Sequence, residues 1–257
     1  MTSTSAIERT GIVRAWLEQE ARENVAAAQR SFARGGPEDS ACPILFLHGG
    51  GGGPADFHPL ARALGPPVFC PLLPAHGRGE DALAALTFDS LVVRAREAYD
   101  VLATSGRPPL VVAQSLGAIV AVRLLADRPA AGLVALAPAL RPRTARRAAG
   151  VLRTLLVSPR RAFGSYRWQT EARRAIRATP PRLADVRCPL LVLVSTDDPT
   201  VSPAGARAFH DLAGASDKEL VVLEGQGHVL SAAPDLESVA APIRAFRARI
   251  GARAAAS

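Results

Sequence analysis

Apolar residues change their spacing several times along the chain, and each change marks an element. Pro43 to Leu47, Val68 to Leu73, Leu110 to Ala113, Gly132 to Ala137, Leu190 to Val194 and Glu219 to Leu223 are short, nearly continuous apolar runs, as expected of strands buried on both faces. Between them, Phe57 to Leu64, Phe88 to Ala103, Leu116 to Leu125 and Pro234 to Ile250 place apolar residues three and four apart, the spacing of a helix with one face in a core. Strands alternating with helices of this length pair in parallel through crossover connections. The pattern predicts an α/β fold with one mostly parallel central sheet flanked by helices.

Two stretches depart from the alternation. Residues 6 to 34, with Ile7, Val13, Trp16, Leu17 and Val25 among charges and alanines, read as a helix or a pair of helices stopped by Gly35-Gly36-Pro37. They define an N-terminal helical extension, 1–40, that packs on the domain edge or serves as a dimerisation arm. Between Leu140 and Arg187 no strand signal occurs, and a helical insertion over the sheet edge is expected there. The predicted division is thus a core of 41–139 and 188–250 interrupted by a helical cap, 140–187.

In parallel sheets functional residues gather beyond the carboxyl ends of the strands. Four stretches here directly follow predicted strands: His48 to Gly53, Ser115, Asp197-Asp198, and Gly225 to His228. At Ser115 a buried strand runs straight into a helix, between the small residues Ala113 and Gly117. This is the layout of a nucleophile elbow, which lifts a serine hydroxyl outward beside free helix-terminal amides. The bland reading is a serine that caps a helix after a core strand. Acyl transfer by serine further requires a base, a carboxylate to orient it and amides aimed at the oxyanion. His228, in the loop Glu224-Gly225-Gln226-Gly227-His228, is the candidate base, and Asp198, next to Asp197, the candidate acid.

The segments Leu45-Phe46-Leu47-His48-Gly49-Gly50, Pro74-Ala75-His76-Gly77-Arg78-Gly79, Ala113-Gln114-Ser115-Leu116-Gly117 and Lys218 to Val229 together resemble the α/β-hydrolase family, most closely its small carboxylesterase and monoacylglycerol-lipase branch. The resemblance implies a catalytic set of Ser115, Asp198 and His228, with the amides of Gly50 and Leu116 as the oxyanion hole. Asp198-Pro199-Thr200-Val201 matches the branch's acid motif better than Asp197 does. The sequence departs from the family at three places. Ala113 replaces the usual glycine before the nucleophile, and Ser195 stands where the acid motif often has glycine. Finally, the paired strands that usually precede the His-Gly loop are not visible, and helical residues 6 to 34 stand in their place.

The implied reaction is cleavage of a small or medium-chain carboxylic ester by a serine hydrolase. Acyl thioesters of CoA or a carrier protein are the alternative substrate, and a non-catalytic hydrolase-like binding protein the alternative class. An acyltransferase or a carbon–carbon hydrolase would use the same three residues.

Composition narrows the picture further. With 257 residues and 48% hydrophobic content, the chain can bury a large core. Lys+Arg exceed Asp+Glu by 31 to 23, and the excess is local. Residues 141 to 177 carry eleven arginines against the single acid Glu171, with the aromatics Phe163, Tyr166 and Trp168 among them. Those three are candidate substrate-binding residues, and the arginines suit either an anionic leaving group or simple solvation. No basic-aromatic interleaving or DNA-binding motif points to nucleic acid. The five-glycine run Gly49 to Gly53 lacks the lysine and hydroxyl residue of a phosphate loop. His58, His76 and His210 are too scattered to form a metal site, and His76 reads as a structural residue near the cleft. Cys42, Cys70 and Cys188 each precede a proline and read as small buried hydrophobes. No cofactor is expected. No apolar run reaches the roughly 18 residues of a membrane span and no signal region is visible, so a cytoplasmic location without membrane insertion is the expectation.

Overall fold

In a computed structural model of the chain, residues 11–35, 42–78, 85–104, 106–141 and 159–256 are described, together with Ala82. Among them a seven-stranded sheet is built from β1 (Phe32–Arg34), β2 (Ile44–Leu47), β3 (Val68–Cys70), β4 (Leu110–Gln114), β5 (Gly132–Leu136), β6 (Leu190–Ser195) and β7 (Lys218–Leu223). Its spatial order is β1-β3-β2-β4-β5-β6-β7, parallel throughout except for β1.

Period-two alternation sends the strand residues into two cores. Leu45, Leu47, Val111, Ala113, Leu133, Ala135, Leu190, Val192 and Val194 join one buried cluster, with α1 (Gly11–Arg22), α3 (Phe88–Ala103) and α4 (Leu116–Leu124). Their neighbours Ile44, Phe46, Leu110, Val112, Val134, Leu136, Leu191 and Leu193 join the other, with α2 (His58–Leu64) and α7 (Leu236–Ala256). Because both faces are covered, the central strands need apolar residues at every position, which is why they read as unbroken runs.

The N-terminal stretch differs from its helical expectation. Helix α1 ends at Arg22, and Asn24 (φ 57°) takes the left-handed conformation that commonly terminates helices. The chain then turns back and adds β1 as an antiparallel edge strand, pairing Phe32 with Cys70 and Arg34 with Val68. A paired strand is therefore present ahead of the His-Gly loop. At three residues it is too short to show a period, and the alanines before it look helical. Helix α1 docks beside it through Trp16, which stacks on Phe69 with ring centroids 6.0 Å apart and carries the Arg94 guanidinium 4.0 Å over its ring. A buried carboxylate completes the joint: Glu20 accepts hydrogen bonds from the amide and hydroxyl of Ser31, both at 2.7 Å, and that hydroxyl accepts from the Leu72 amide.

Past β5, residues 142–158 lie outside the described part. Helix α5 (Pro159–Arg177) follows, and it packs against α3 and α4 with Trp168 and Ile176 in the cluster those helices share. Helix α6 (Pro203–Leu212) connects β6 to β7 and starts at Ser202, whose hydroxyl accepts from the Gly205 amide at 3.1 Å. Among the described residues no helix is long and apolar enough to cross a membrane.

Candidate active site

Strand β4 passes into α4 at Ser115, whose φ of 55° and ψ of −113° are unusual for a residue with a side chain. Neighbouring backbone enforces this conformation. The Ser115 amide donates to the Leu136 carbonyl at 2.8 Å, and its own carbonyl accepts from the amides of Ala118 and Ala139, each at 3.2 Å. Helix α4 can begin this close to β2 only because residue 117 is glycine. A Cβ there would stand 2.7 Å from the His48 carbonyl oxygen and closer still to that of Leu47. Ala113, by contrast, is an ordinary buried strand residue in register with Leu47 and Ala135.

The sheet order brings the predicted partners to this hydroxyl. His228 Nε2 lies 3.0 Å from Ser115 Oγ, and His228 Nδ1 lies 2.7 Å from Asp198 Oδ2. Asp198 is buried, and its second oxygen accepts from the amides of Thr200 at 2.7 Å and Val201 at 2.9 Å. These two backbone donors fix the carboxyl group's orientation toward the imidazole. With Nδ1–H donating to Asp198, Nε2 is left to accept from the serine hydroxyl.

Of the two adjacent aspartates it is Asp198 that bonds the imidazole, while Asp197 faces elsewhere. It accepts from the Ser195 hydroxyl, which holds its carboxyl below the ordinary range, and from the Gly227 amide at 3.5 Å. Ser195 Oγ in turn accepts from the Gln226 amide at 3.1 Å. The serine that departs from the family pattern thus ties the end of β6 to the histidine loop.

Gly50 and Leu116 are neighbours, since a Cβ on Gly50 would meet Leu116 Cδ2 at 3.0 Å. Leu116 opens α4, so its amide has no partner within the helix. Two histidines support the Gly50 side. His48 is fully buried; its Nε2 accepts from the Leu73 amide at 2.9 Å and its Nδ1 faces the Gly49 carbonyl at 3.0 Å. Burial first, and the adjacent His76 second, depress its pKa to about 3, so it stays neutral. His76 packs edge-on to His48, with Nδ1 3.0 Å from the Pro74 carbonyl and Nε2 3.2 Å from the Gly50 carbonyl. Burial depresses its pKa as well.

Phe163 and Tyr166 fall on α5, but their side chains lie outside the described part, and Trp168 is buried in the same cluster as Leu116 and Leu140. Among the described residues no group of histidine, cysteine and acidic side chains is arranged to hold a metal. The sequence reading did not single out Gln114, which the structure places against the His228 loop. Its Nε2 donates to the His228 carbonyl at 2.8 Å, and its Oε1 accepts from the Ser231 amide at 3.4 Å. The available signal was a lone polar residue closing an otherwise apolar strand.

An elbow serine after β4, a buried aspartate after β6 and a histidine after β7, all at one edge of a parallel sheet, define a class. Residues 44–241 match the profile of the alpha/beta hydrolase family, and the chain belongs to that family. No curated protein sequence matches it. Among solved structures it is similar to one from work on LipS and LipT, two metagenome-derived lipolytic enzymes, with a TM-score of 0.73 and 21% identity over 88% of this chain and 100% of that one. It is also similar to the monoacylglycerol lipase of Paleococcus ferrophilus, with a TM-score of 0.61 and 18% identity over 82% and 94% of the two chains. A thermophilic esterase from Thermogutta terrifontis gives a TM-score of 0.61 and 19% identity over 86% and 93%.

Proposed function

We propose that the protein is a serine hydrolase that cleaves a small or medium-chain carboxylic ester through an acyl-enzyme on Ser115. The observation that carries this reading is the continuous relay from Ser115 Oγ through His228 to the buried Asp198. Ser115 Oγ attacks the acyl carbonyl as its proton passes to His228 Nε2, and Asp198 stabilises the resulting imidazolium. The amides of Gly50 and Leu116 receive the oxyanion, an interaction worth about 10²- to 10³-fold in rate for each donor. The tetrahedral intermediate collapses, His228 protonates the departing alcohol, and water activated by the same imidazole releases the acid. The insertion 140–187, with Phe163, Tyr166 and Trp168, is assigned the selection of the acyl chain. The lipolytic and esterase activities of the structurally similar proteins agree with this reading.

The test is hydrolysis of p-nitrophenyl esters of graded chain length alongside the matching acyl-CoA thioesters. Wild type is expected to turn over esters and to gain the mass of one phosphonyl group on treatment with a fluorophosphonate. Ser115→Ala is expected to lose the labelling and about 10⁴-fold or more of the rate. Equal rates for wild type and variant would refute the assignment, and preference for the thioesters would move the substrate class.

A further inference from the structure

We propose that Gln114 is a positioning residue that holds the imidazole-bearing loop over the nucleophile. Strand β7, from which the His228 loop departs, is separated from β4 by β5 and β6. At strand spacings of about 4.8 Å, the loop must cross roughly 14 Å of sheet edge to bring the ring to Ser115. It does so through Gly225 (φ 70°) and Gly227 (φ 67°), which offer no stiffness of their own.

The loop is tied at two places. On the β6 side, Ser195 Oγ and Asp197 Oδ1 hold the amides of Gln226 and Gly227. Those contacts precede His228, and from that side the ring itself is held at Nδ1 by Asp198 Oδ2. On the β4 side the only side-chain ties given by the described residues, apart from the Ser115–His228 bond itself, come from Gln114. That side chain is buried, and its amide engages the carbonyl of His228 itself and the Ser231 amide three residues on. The polarity of this arrangement is specific. A backbone carbonyl needs a donor and a backbone N–H needs an acceptor, and a primary carboxamide supplies one of each in a single plane. Because Gln114 adjoins Ser115, the nucleophile and the loop that carries its base share one rigid strand end. The Gln114 tie therefore bears directly on the 3.0 Å separation between Oγ and Nε2.

This inference rests on the reading of His228 as the general base, and two variants test it. Gln114→Leu removes donor and acceptor at similar volume. Gln114→Glu keeps the shape but turns an acceptor toward the His228 carbonyl. Both are expected to fold, with Tm lowered by about 10 °C or less. With p-nitrophenyl butyrate, kcat is expected to fall about 10- to 100-fold while KM changes less than about threefold, since a misplacement near 1 Å costs that much in rate. A purely structural glutamine would lower Tm and leave kcat of the folded protein intact.

A second measurement needs no turnover. The His228 Nδ1 proton, bonded to Asp198, is expected far downfield in the proton NMR spectrum, identified by its absence from His228→Gln. It should be sharp in wild type and lost to solvent exchange in both Gln114 variants. Wild-type kcat, or a resonance as sharp as in wild type, in a folded Gln114→Leu protein would overturn the proposal. If wild type hydrolyses no ester and takes up no fluorophosphonate, the hydrolase reading fails, and the resonance alone decides whether Gln114 holds the ring.

Discussion

Two small residues flank Ser115, and they do different work. At Ala113 the backbone is regular strand and a methyl group fits between Leu47 and Ala135, so the missing glycine costs nothing here. At Gly117 the helix presses on the carbonyls of Leu47 and His48, and no Cβ fits. Gly117→Ala is therefore expected to destabilise the fold by about 3 kcal/mol or more, as other overpacked sites do. Urea unfolding will show this, and the folded remainder should also lose hydrolysis as the elbow shifts. His48 supplies a second residue-scale consequence. Unfolded, it takes up a proton near its ordinary value of 6.5; folded, it does so only at about 3. The neutral ring thus contributes stability that is fully present above about pH 6.5 and is lost progressively as pH falls toward 3. The free energy of unfolding should decline with pH across that window, and His48→Asn, which cannot titrate, should show a shallower decline.

Among the elements, the buried strands and long helices were legible, the three-residue β3 included, and the edge strand β1 was not. Helices α3 and α4 and strands β4 to β6 repeat their period often enough to be recognised, whereas β1 consists of Phe32, Ala33 and Arg34 and exists because β3 offers it an edge. Its pairing partner, not its composition, makes it a strand. Tertiary ties between elements were equally invisible. Arg247 on α7 donates to the carbonyls of Cys42 at 3.0 Å, Leu64 at 2.9 Å and Pro66 at 3.1 Å, fastening the last helix to the end of α2 and to the chain entering β2. An arginine on an amphipathic helix gives no sign of this in the sequence. Arg247→Met, which keeps the aliphatic stem, should destabilise by about 2 kcal/mol through the orphaned carbonyls. The corresponding drop in Tm is about 4 to 8 °C by calorimetry. Ester hydrolysis at 25 °C should be unchanged, since none of these groups reaches the cleft.

For the molecule as a whole, what the sequence revealed best was the sheet, because a strand covered on both faces has no choice but to be apolar throughout. Parallel pairing then sends the polar loops that follow its strands to one edge, where Ser115, Asp198 and His228 meet. The sequence could not settle which of two adjacent aspartates meets the imidazole, or that Gln114 reaches across to His228. Those contacts are made by glycine-containing loops that carry no period, and they depend on positions set by residues far away in the chain. One further consequence follows from the order of assembly. His228 lies 113 residues after Ser115, so during synthesis the serine emerges long before the base proposed to activate it. Until β7 docks, its hydroxyl is an ordinary alcohol, a weak nucleophile at neutral pH. On the proposed mechanism a nascent chain therefore does not capture acyl groups from its surroundings, and reactivity begins only when the sheet is complete.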